Sequence, residues 1–487
     1  MKILMTMNKI KINFLIGFVA TCIAFVGCNV PKAVQQTENK ITPLAYTATN
    51  ESADSTSNSA TIAWKTFFTD PNLANLIDTA LVHNQELNIT LQEIEIAKNE
   101  IRLKKASLSP TVEVRGGVGV EKVGRYTSQG AGDASTEITP GKEMPEALTD
   151  FTAGIYANWE LDVWKKLRNA KDAAITRYLA TVEGKNFVLT NLVAEVANSY
   201  YELVALDNQL DIVQQNISLQ KNALEVVKIQ KDASRVTELA VQKFEAEVLK
   251  SQSLEFDIQQ QIKETENKIN FLTGRFPQAI IRSKNNFANL VPASVNTGIP
   301  SQLLANRPDI KQAELELQAA KLDVKVARSE FYPSFGISAA IGFQAFKPSY
   351  LVKLPESLLY SLVGDLAGPL INKNAIKAEF YTANATQLQA MYNYEKTILN
   401  AYLEVATQVS KIDNLNKSYG FKAKQVDALT RSIDISNDLF KNARADYLEV
   451  LMTQRDALEA KLELIDTKKE QLNAVVNIYR GLGGGWK

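Results

Sequence analysis

Four segments of this chain alternate apolar and polar side chains. They cover residues 111–122, 151–163, 334–346 and 357–371, and the fourth alternates least regularly. Runs of about ten residues are long enough to cross a lipid bilayer as tilted strands, with one face towards lipid and the other towards water. A strand of a soluble sandwich packed on a core shows a similar alternation. Aromatic residues near the segment ends favour membrane strands. We therefore predict that the four segments are strands of a membrane barrel.

Four strands cannot form a membrane barrel on their own. In hydrocarbon the unpaired backbone groups along a sheet edge have no water to bind, and the smallest known barrels have eight strands. The barrel must therefore be shared between subunits. The residues alone allow any multiple of four strands, from eight upward.

Two of these segments lead directly into long helices. The sequence WELDVWKKLRNA (residues 159–170) changes from alternation to a helix-favouring composition, and AGPLINKNAIKAEF (residues 367–380) makes a second such change. Between Lys165 and Lys231 there is no Pro and only one Gly, so a helix of about 100 Å is possible at about 1.5 Å per residue. Apolar residues recur every three or four positions, as in a coiled-coil seam. We predict long antiparallel helical hairpins over residues 165–273 and 373–482.

The chain contains two copies of one pattern. Residues 84–114 align without a gap on residues 307–337. A repeat of roughly two hundred residues is too long for a solenoid unit. We therefore predict two structural repeats, residues 67–290 and 291–487, each with a helix, two strands and a helical hairpin. The opening helices are predicted to be continuous over the ranges 73–107 and 302–331.

The amino terminus has the pattern of an export signal. Three lysines precede an apolar run that ends at Val26 and is too short to span a membrane as a helix. Gly27 and Cys28 resemble a bacterial lipobox, which predicts a signal peptide at residues 1–27, a lipid on Cys28 and a tether over residues 28–66. An ordinary signal peptide with an incidental cysteine is the alternative. Translation could start at three methionines, Met1, Met5 or Met7.

The composition excludes several classes of function. Lys and Arg together number 54, as do Asp and Glu, so the sequence offers no strongly basic surface for nucleic acid. The single histidine, His83, excludes histidine-based triads and most metal sites, and no Gly-rich phosphate loop occurs. We predict that the protein is not an enzyme and has no cofactor, no metal site and no nucleic-acid partner.

Several segments resemble those of a known family. The stretches WELDVWKKLRNA, LLANRPDIKQAELELQAAKLDVKVARSEFYPSF, GPLIN and IYRGLGGGW are similar, in this order, to the signature segments of TolC-like outer-membrane efflux channels of the lipoprotein branch. The resemblance implies a mainly α fold with a membrane β part. It also implies a homotrimer with a shared 12-stranded outer-membrane β-barrel. This barrel continues into a periplasmic α-barrel of long antiparallel coiled-coil helices. The same resemblance implies a lipid-anchored location in the cell outer membrane.

The resemblance further implies the partners of a tripartite efflux pump. These are a periplasmic adaptor (membrane fusion) protein, an inner-membrane pump of the resistance-nodulation-division type, and outer-membrane lipid around the barrel. Such a channel exports small molecules, although a channel of the same architecture could serve protein secretion instead. A lipid-anchored coiled-coil adaptor is a further alternative, but it should contain Gly-rich lipoyl-like half-motifs, which the sequence lacks. No residue distinguishes a drug from a metal ion or a dye as the substrate.

The resemblance also implies a periplasmic gate at the tip of the second hairpin. It assigns the constriction to five positions in FKNARADYLEVLMTQRD, namely Phe440, Lys441, Leu448, Glu449 and Met452. Met452 stands where the family often has an acid, and Glu449 lies one helical turn earlier on the same face. The alternative is that Glu449 is an ordinary solvated residue on the helix surface. Ser234 and Ala443 occupy tip positions that are usually glycine, which is a departure from the family.

Overall fold

The computed structural model divides into two compact units. The residues it describes are Pro31, Pro43, Ala45, Tyr46, 58–283, Phe287, Leu290, 295–368, 373–442 and 444–486. The predicted signal peptide, the predicted lipidation site Cys28 and most of the predicted tether lie outside these residues. The sheet unit contains Ala97–Tyr178 and Glu316–Ala390, and the helical unit contains Glu38–Ile96, Leu179–Leu315 and Met391–Lys487.

The sheet unit contains four antiparallel strands. These are β1 (Thr111–Glu121), β2 (Leu148–Leu161), β3 (Ser334–Ala345) and β4 (Leu358–Ala367). They pair in chain order, so β1 and β4 are the two edges of the sheet. A short hairpin of Glu137–Thr139 with Lys142–Glu143 lies between β1 and β2. Compared with the predicted bounds, β2 starts earlier, at Leu148, and β4 ends earlier, at Ala367, while residues 369–372 lie outside the described part.

The strand register brings similar side chains together. Val114 lies opposite Ile155, Ile155 opposite Ile341, and Ile341 opposite Tyr360, so an apolar row crosses all four strands. The neighbouring row on the other face consists of Glu113, Tyr156, Ala340 and Ser361. The apolar face is uncovered, since Val114 is 82% exposed and Tyr360 is 77% exposed. An uncovered apolar face of this kind indicates contact with lipid or with another protein.

Seven long helices make up most of the remaining described chain. They are α1 (Pro71–His83), α2 (Gln85–Ala106), α3 (Lys166–Asp232), α4 (Glu238–Leu272), α5 (Pro308–Ser329), α6 (Lys373–Lys441) and α7 (Tyr447–Gly481). Shorter helical segments lie at Ser59–Thr61, Trp64–Phe67, Ser128–Asp133, Pro300–Gln302, Leu303–Asn306 and Pro348–Tyr350. Helices α3 with α4, and α6 with α7, are the arms of the two helical hairpins. Within the described residues, no helix is both long enough and apolar enough to span a membrane.

The transition from β2 to α3 is a capped turn. The Asp162 carboxylate accepts the backbone N–H groups of Leu167 at 2.9 Å and of Arg168 at 3.0 Å, which have no partner inside the first helical turn. Lys165 adopts a left-handed conformation, with φ of 61°. The predicted strand end at residue 163 is therefore late, because Asp162 leaves the sheet to cap α3. The Trp164 indole N–H fixes the turn by donating to the Pro333 carbonyl at 2.7 Å.

The opening helix of each repeat is interrupted, which corrects the prediction of continuous helices. Asn84 separates α1 from α2: its side-chain amide donates to the Leu272 carbonyl, and its side-chain oxygen accepts from the Leu87 N–H, both at 2.9 Å. In the second repeat Arg307 is extended and Pro308 begins α5. Proline disfavours a helical conformation in the residue before it and has no N–H to donate.

Arg307 holds three segments of the helical unit together. Its buried guanidinium contacts the carboxylate of Asp309 at 2.7 Å and that of Glu404 at 2.8 Å, and donates to the Gly481 carbonyl at 2.7 Å. Arg480 pairs with the second oxygen of Glu404 at 2.5 Å. Burial works against ionisation of Glu404, but the two arginines outweigh it and lower the pKa of that carboxyl. The start of α5, the middle of α6 and the end of α7 thus share one ionic cluster.

Replacing Arg307 with Leu should destabilise the helical unit strongly. The Arg307 guanidinium is buried, and its loss leaves the half-buried Asp309 without its cation and Glu404 with Arg480 alone. Breaking a fully buried ion pair costs about 3–5 kcal/mol of unfolding free energy, so we expect a loss of up to about that size. We expect a clear fall in the thermal midpoint of the purified protein by circular dichroism. The control is Arg431→Leu, which breaks the exposed pair with Asp427 and should change stability by less than about 1 kcal/mol. Equal midpoints for the two variants would contradict the assignment.

Candidate functional site

The polar face of the sheet is rich in carboxylates. Within the four strands it carries one guanidinium, Arg115, and five carboxylates, Glu113, Glu121, Asp150, Glu160 and Asp365. Arg115 forms an ion pair with Glu113 at 2.6 Å and lies over the Tyr156 ring, 5.3 Å from its centroid. A surface with an excess of one charge concentrates counter-ions, so this face attracts cations.

A recess with both polar and apolar lining lies where the sheet unit's helices meet its strands. Its volume is about 450 Å³, and its polar lining includes Ser107, Ser109, Thr111, Asn158, Glu160, Ser334 and Ser338. Glu160 is paired with Lys166 at 2.5 Å. Burial disfavours the charged ammonium, but Glu160 and Glu330 outweigh it and raise the pKa of Lys166. The recess thus combines hydroxyl and amide groups with an apolar part formed by Trp159, Phe335 and Ile337.

The described residues contain no cluster suited to a metal ion. No group of three or more His, Cys, Asp or Glu side chains in that part of the chain is arranged to hold one. The carboxylates of the polar face are instead spread along the strands. Spread in this way, they provide no binding centre of the kind a bound metal requires.

The turn at the tip of the first hairpin contains a left-handed residue that is not glycine. Ser234 has φ of 55°, in the left-handed region that favours glycine. The Arg235 N–H bonds to the Gln230 carbonyl and the Ser234 N–H to the Lys231 carbonyl, both at 2.8 Å. This pair of bonds is the Schellman arrangement, which satisfies the last carbonyls of a helix. Glu238 closes the turn by pairing with Lys231 at 3.1 Å, and this contact raises the pKa of Lys231.

The tip of the second hairpin repeats part of this turn. The Arg444 N–H bonds to the Leu439 carbonyl at 2.8 Å, as Arg235 does to Gln230. Ala443 lies outside the described residues. The Glu449 carboxylate accepts the backbone N–H of Asp446 at 3.3 Å and so helps to cap α7. The Asp-x-x-Glu spacing is a sequence signal for such a cap, so this role of Glu449 could have been predicted beside its role in the gate.

The five predicted gate residues have different surroundings. Phe440 is partly buried and packs against an apolar cluster of both hairpins, which contains Leu224, Val227, Phe244 and Val450. Lys441 is exposed and lies 3.6 Å from Asp438. Leu448 and Met452 are 39% and 45% exposed, and a spacing of four residues places them on one face of α7. Glu449 is exposed beside them. The structure thus groups Leu448, Glu449 and Met452 on the first turns of α7, while Phe440 joins the core.

Replacing Ser234 with Gly should stabilise the first tip. A left-handed residue other than glycine costs roughly 1–2 kcal/mol, part of which is offset by the greater freedom of glycine in the unfolded chain. We expect slower amide hydrogen exchange in the last turn of α3, corresponding to a gain of up to about 1 kcal/mol. The matched control is Ser253→Gly in the middle of α4, which should have the opposite effect. Faster exchange in the Ser234→Gly protein would contradict the turn geometry.

Several known proteins are similar to this chain in sequence. The sequence profile of a family described as outer membrane efflux protein matches residues 76–275 and 299–484. The chain is 28% identical over 425 residues to the pyoverdine export outer membrane protein OpmQ of Pseudomonas aeruginosa, covering 87% of each protein. It is 25% identical over 465 residues to the cation efflux system protein CusC of Escherichia coli O6:H1, covering 96% of this chain and 97% of CusC.

A solved structure confirms the predicted fold class. The crystal structure of the CmeC outer membrane channel of Campylobacter jejuni matches this chain with a TM-score of 0.81 at 20% identity, over 94% of each chain. The mainly helical fold with a four-stranded sheet is therefore the fold of an outer-membrane channel.

Proposed function

Because this chain belongs to the outer membrane efflux protein family, we propose that three copies of it form one channel that carries small molecules out of the periplasm. The protein is located in the outer membrane, as the family description states. The observation that carries the assembly is the four-stranded sheet, whose edge strands β1 and β4 have no neighbour on one side within the described part of the chain. Three such sheets joined edge to edge would close a barrel of twelve strands.

The two faces of the sheet support this arrangement. The apolar rows would face lipid, and the carboxylate-rich face would line a water-filled lumen. An open sheet edge in hydrocarbon leaves backbone groups unpaired, at several kcal/mol for each group. A single copy inserted in the membrane would therefore be unstable, whereas a closed ring of copies would pair every strand.

We propose that the channel works with a periplasmic adaptor and an inner-membrane pump of the resistance-nodulation-division type. The relatives named for pyoverdine export and for cation efflux support a small-molecule cargo. A lipid on Cys28 would add an anchor beside the barrel, and a relative named as a probable outer membrane lipoprotein, SilC of Salmonella typhimurium, supports it.

The assembly is tested by a matched pair of arginine substitutions. In detergent the unsubstituted protein should be a trimer by light scattering, with no stable folded monomer. Leu362→Arg places a charge on the apolar face, at a cost of about 2–4 kcal/mol near the middle of a membrane, and should reduce the trimer recovered from membranes. Ser361→Arg places the same charge on the polar face and should be tolerated. A monodisperse monomer that keeps its full strand content would contradict the shared barrel.

We propose that the second hairpin tips form the periplasmic constriction. Leu448 and Met452 would supply an apolar ring, Glu449 a ring of carboxylates, and Lys441 a basic rim. Phe440 would act from the core by holding the two hairpins in register. The support is the exposure of Leu448, Glu449 and Met452 together on the first turns of α7.

Replacing Glu449 with Gln should weaken the cation preference of the channel. Gln keeps an oxygen that can accept the Asp446 N–H, so α7 stays capped while each copy loses one charge. In planar bilayers we expect a smaller reversal potential in a salt gradient, chiefly at low salt, because at 0.1 M the screening length is already about 10 Å. Glu245→Gln in the first hairpin is the charge-matched control. If both variants behave like the unsubstituted protein, Glu449 does not line the pore.

A further inference from the structure

The segment between β3 and β4 has an unusual composition for a surface loop. Residues 346–357, FKPSYLVKLPES, are here called the β3–β4 loop, and they combine aromatic and aliphatic residues with two lysines and one acid. Residues 122–147, between β1 and β2, are by contrast rich in Gly, Ser and Thr and hold more acids than bases. The two loops lie at the same end of the strands, so the difference is not explained by position along the sheet.

The aliphatic side chains of the β3–β4 loop are turned outwards. Val352 is 83% exposed and Leu354 is 63% exposed, with Lys353 between them in the sequence. The apolar face of the sheet reaches the base of this loop, where Phe343 is paired with Leu358. The exposed aliphatic residues of the loop therefore follow directly on the face that would contact lipid. Adjacent exposed apolar residues of this kind mark a membrane or protein contact.

The two lysines are held close to aromatic rings. The Lys353 ammonium lies 4.6 Å from the centroid of Tyr350, and that of Lys347 lies 5.7 Å from the same centroid. Phe346 packs edge-on against Tyr350 at 5.2 Å. Among the described residues neither lysine forms an ion pair with a carboxylate. Both ammonium groups therefore remain available to an anion.

The loop joins the strand ends that lie away from the helices. Helix α5 precedes β3 and helix α6 follows β4, so the chain between these strands lies at the opposite membrane surface. That surface of an outer membrane consists of phosphorylated glycolipids. Basic residues near a membrane surface bind lipid phosphates, and aliphatic and aromatic residues beside them enter the boundary with the acyl chains.

We propose that the β3–β4 loop docks on the outer leaflet, with Val352 and Leu354 among the lipid chains and Lys347 and Lys353 bound to lipid phosphates. This inference rests on the proposed position of the sheet in the membrane. Lipid is favoured over a second copy of the chain because the exposed aliphatic residues continue the lipid-facing side of the sheet and the free cations complement phosphate.

The test is a set of spin labels on single introduced cysteines in the full-length protein. Val352→Cys reports on the loop, Gln129→Cys reports on the exposed β1–β2 segment, and Val114→Cys reports on the apolar face of the sheet. Each protein is placed in phosphatidylcholine bilayers with and without lipid A, and in amphipol without lipid. Collision rates with oxygen and with a water-soluble nickel complex then give the environment of each label. Unsubstituted protein treated in the same way sets the background labelling.

In bilayers we expect the label at residue 352 to be accessible to oxygen and shielded from nickel, most strongly when lipid A is present. In amphipol the same label should be accessible to nickel. The label at residue 129 should be open to nickel throughout. Replacing both Lys347 and Lys353 with Gln should abolish the part of the shielding that depends on lipid A. Persistence of that part in the double variant would overturn the phosphate contact.

Two further outcomes would overturn the docking itself. Equal nickel access at residues 352 and 129 in bilayers would place the loop in water. Shielding of residue 352 that persists in amphipol would mean that a neighbouring copy covers the loop. The label at residue 114 separates this inference from the proposed channel. If residue 114 is shielded from nickel and residue 352 is accessible to it, only the docking is overturned. If nickel reaches both residues, the membrane position of the sheet is overturned as well.

Discussion

Hydrocarbon offers no partner to a backbone N–H or C=O group, and much of this fold follows from that fact. Inside the sheet the antiparallel ladder satisfies β2 and β3 on both sides, but among the residues that the structure describes β1 and β4 are satisfied on one side only. The chain places no Pro within the four strands that would block pairing at these edges. The edges are therefore suited to join other copies of the same sheet, and an oligomer is the arrangement that removes them.

The sheet must then meet two different solvents at once. Its apolar rows are mainly aliphatic and aromatic, whereas the opposite face carries Arg115 and the carboxylates, with Leu359 and Val363 of β4 as apolar exceptions. The side chains of β1 to β3 therefore define most clearly which side is wet. At the strand ends the chain changes from ladder to helix within a few residues. Asp162 makes this possible after β2 because its carboxylate satisfies helix donors that would otherwise have no partner in the first turn. Arg307 has a comparable role among the helices, where one side chain satisfies two carboxylates and a carbonyl.

Much of the fold could be predicted because its signals are periodic. The alternation of apolar and polar side chains located the four strands, and apolar residues at every third or fourth position located the hairpin helices. Both patterns extend over many residues and are therefore visible in the sequence. The interruption at Asn84 was missed because its cause is the distant Leu272 carbonyl, which no local pattern reveals. Ser234 was recognised as a departure from glycine, but its left-handed conformation depends on the two bonds that end α3. At the second tip the spacing of Asp446 and Glu449 did contain a capping signal, whereas the partial burial of Phe440 depends on contacts with the other hairpin.

The alternation of the strands, clearest in β1 to β3, also restricts how such a protein can evolve. Val114 and Glu113 are neighbours in sequence but belong to opposite faces, so inserting one residue within β1 would turn every following side chain of that strand over. Carboxylates would then enter lipid and valines would enter water. Insertions of two residues preserve the faces, and loops such as the one between β1 and β2 tolerate any number. Related proteins should therefore differ in strand length by even steps and in loop length freely, which makes gaps in an alignment a guide to where the membrane lies.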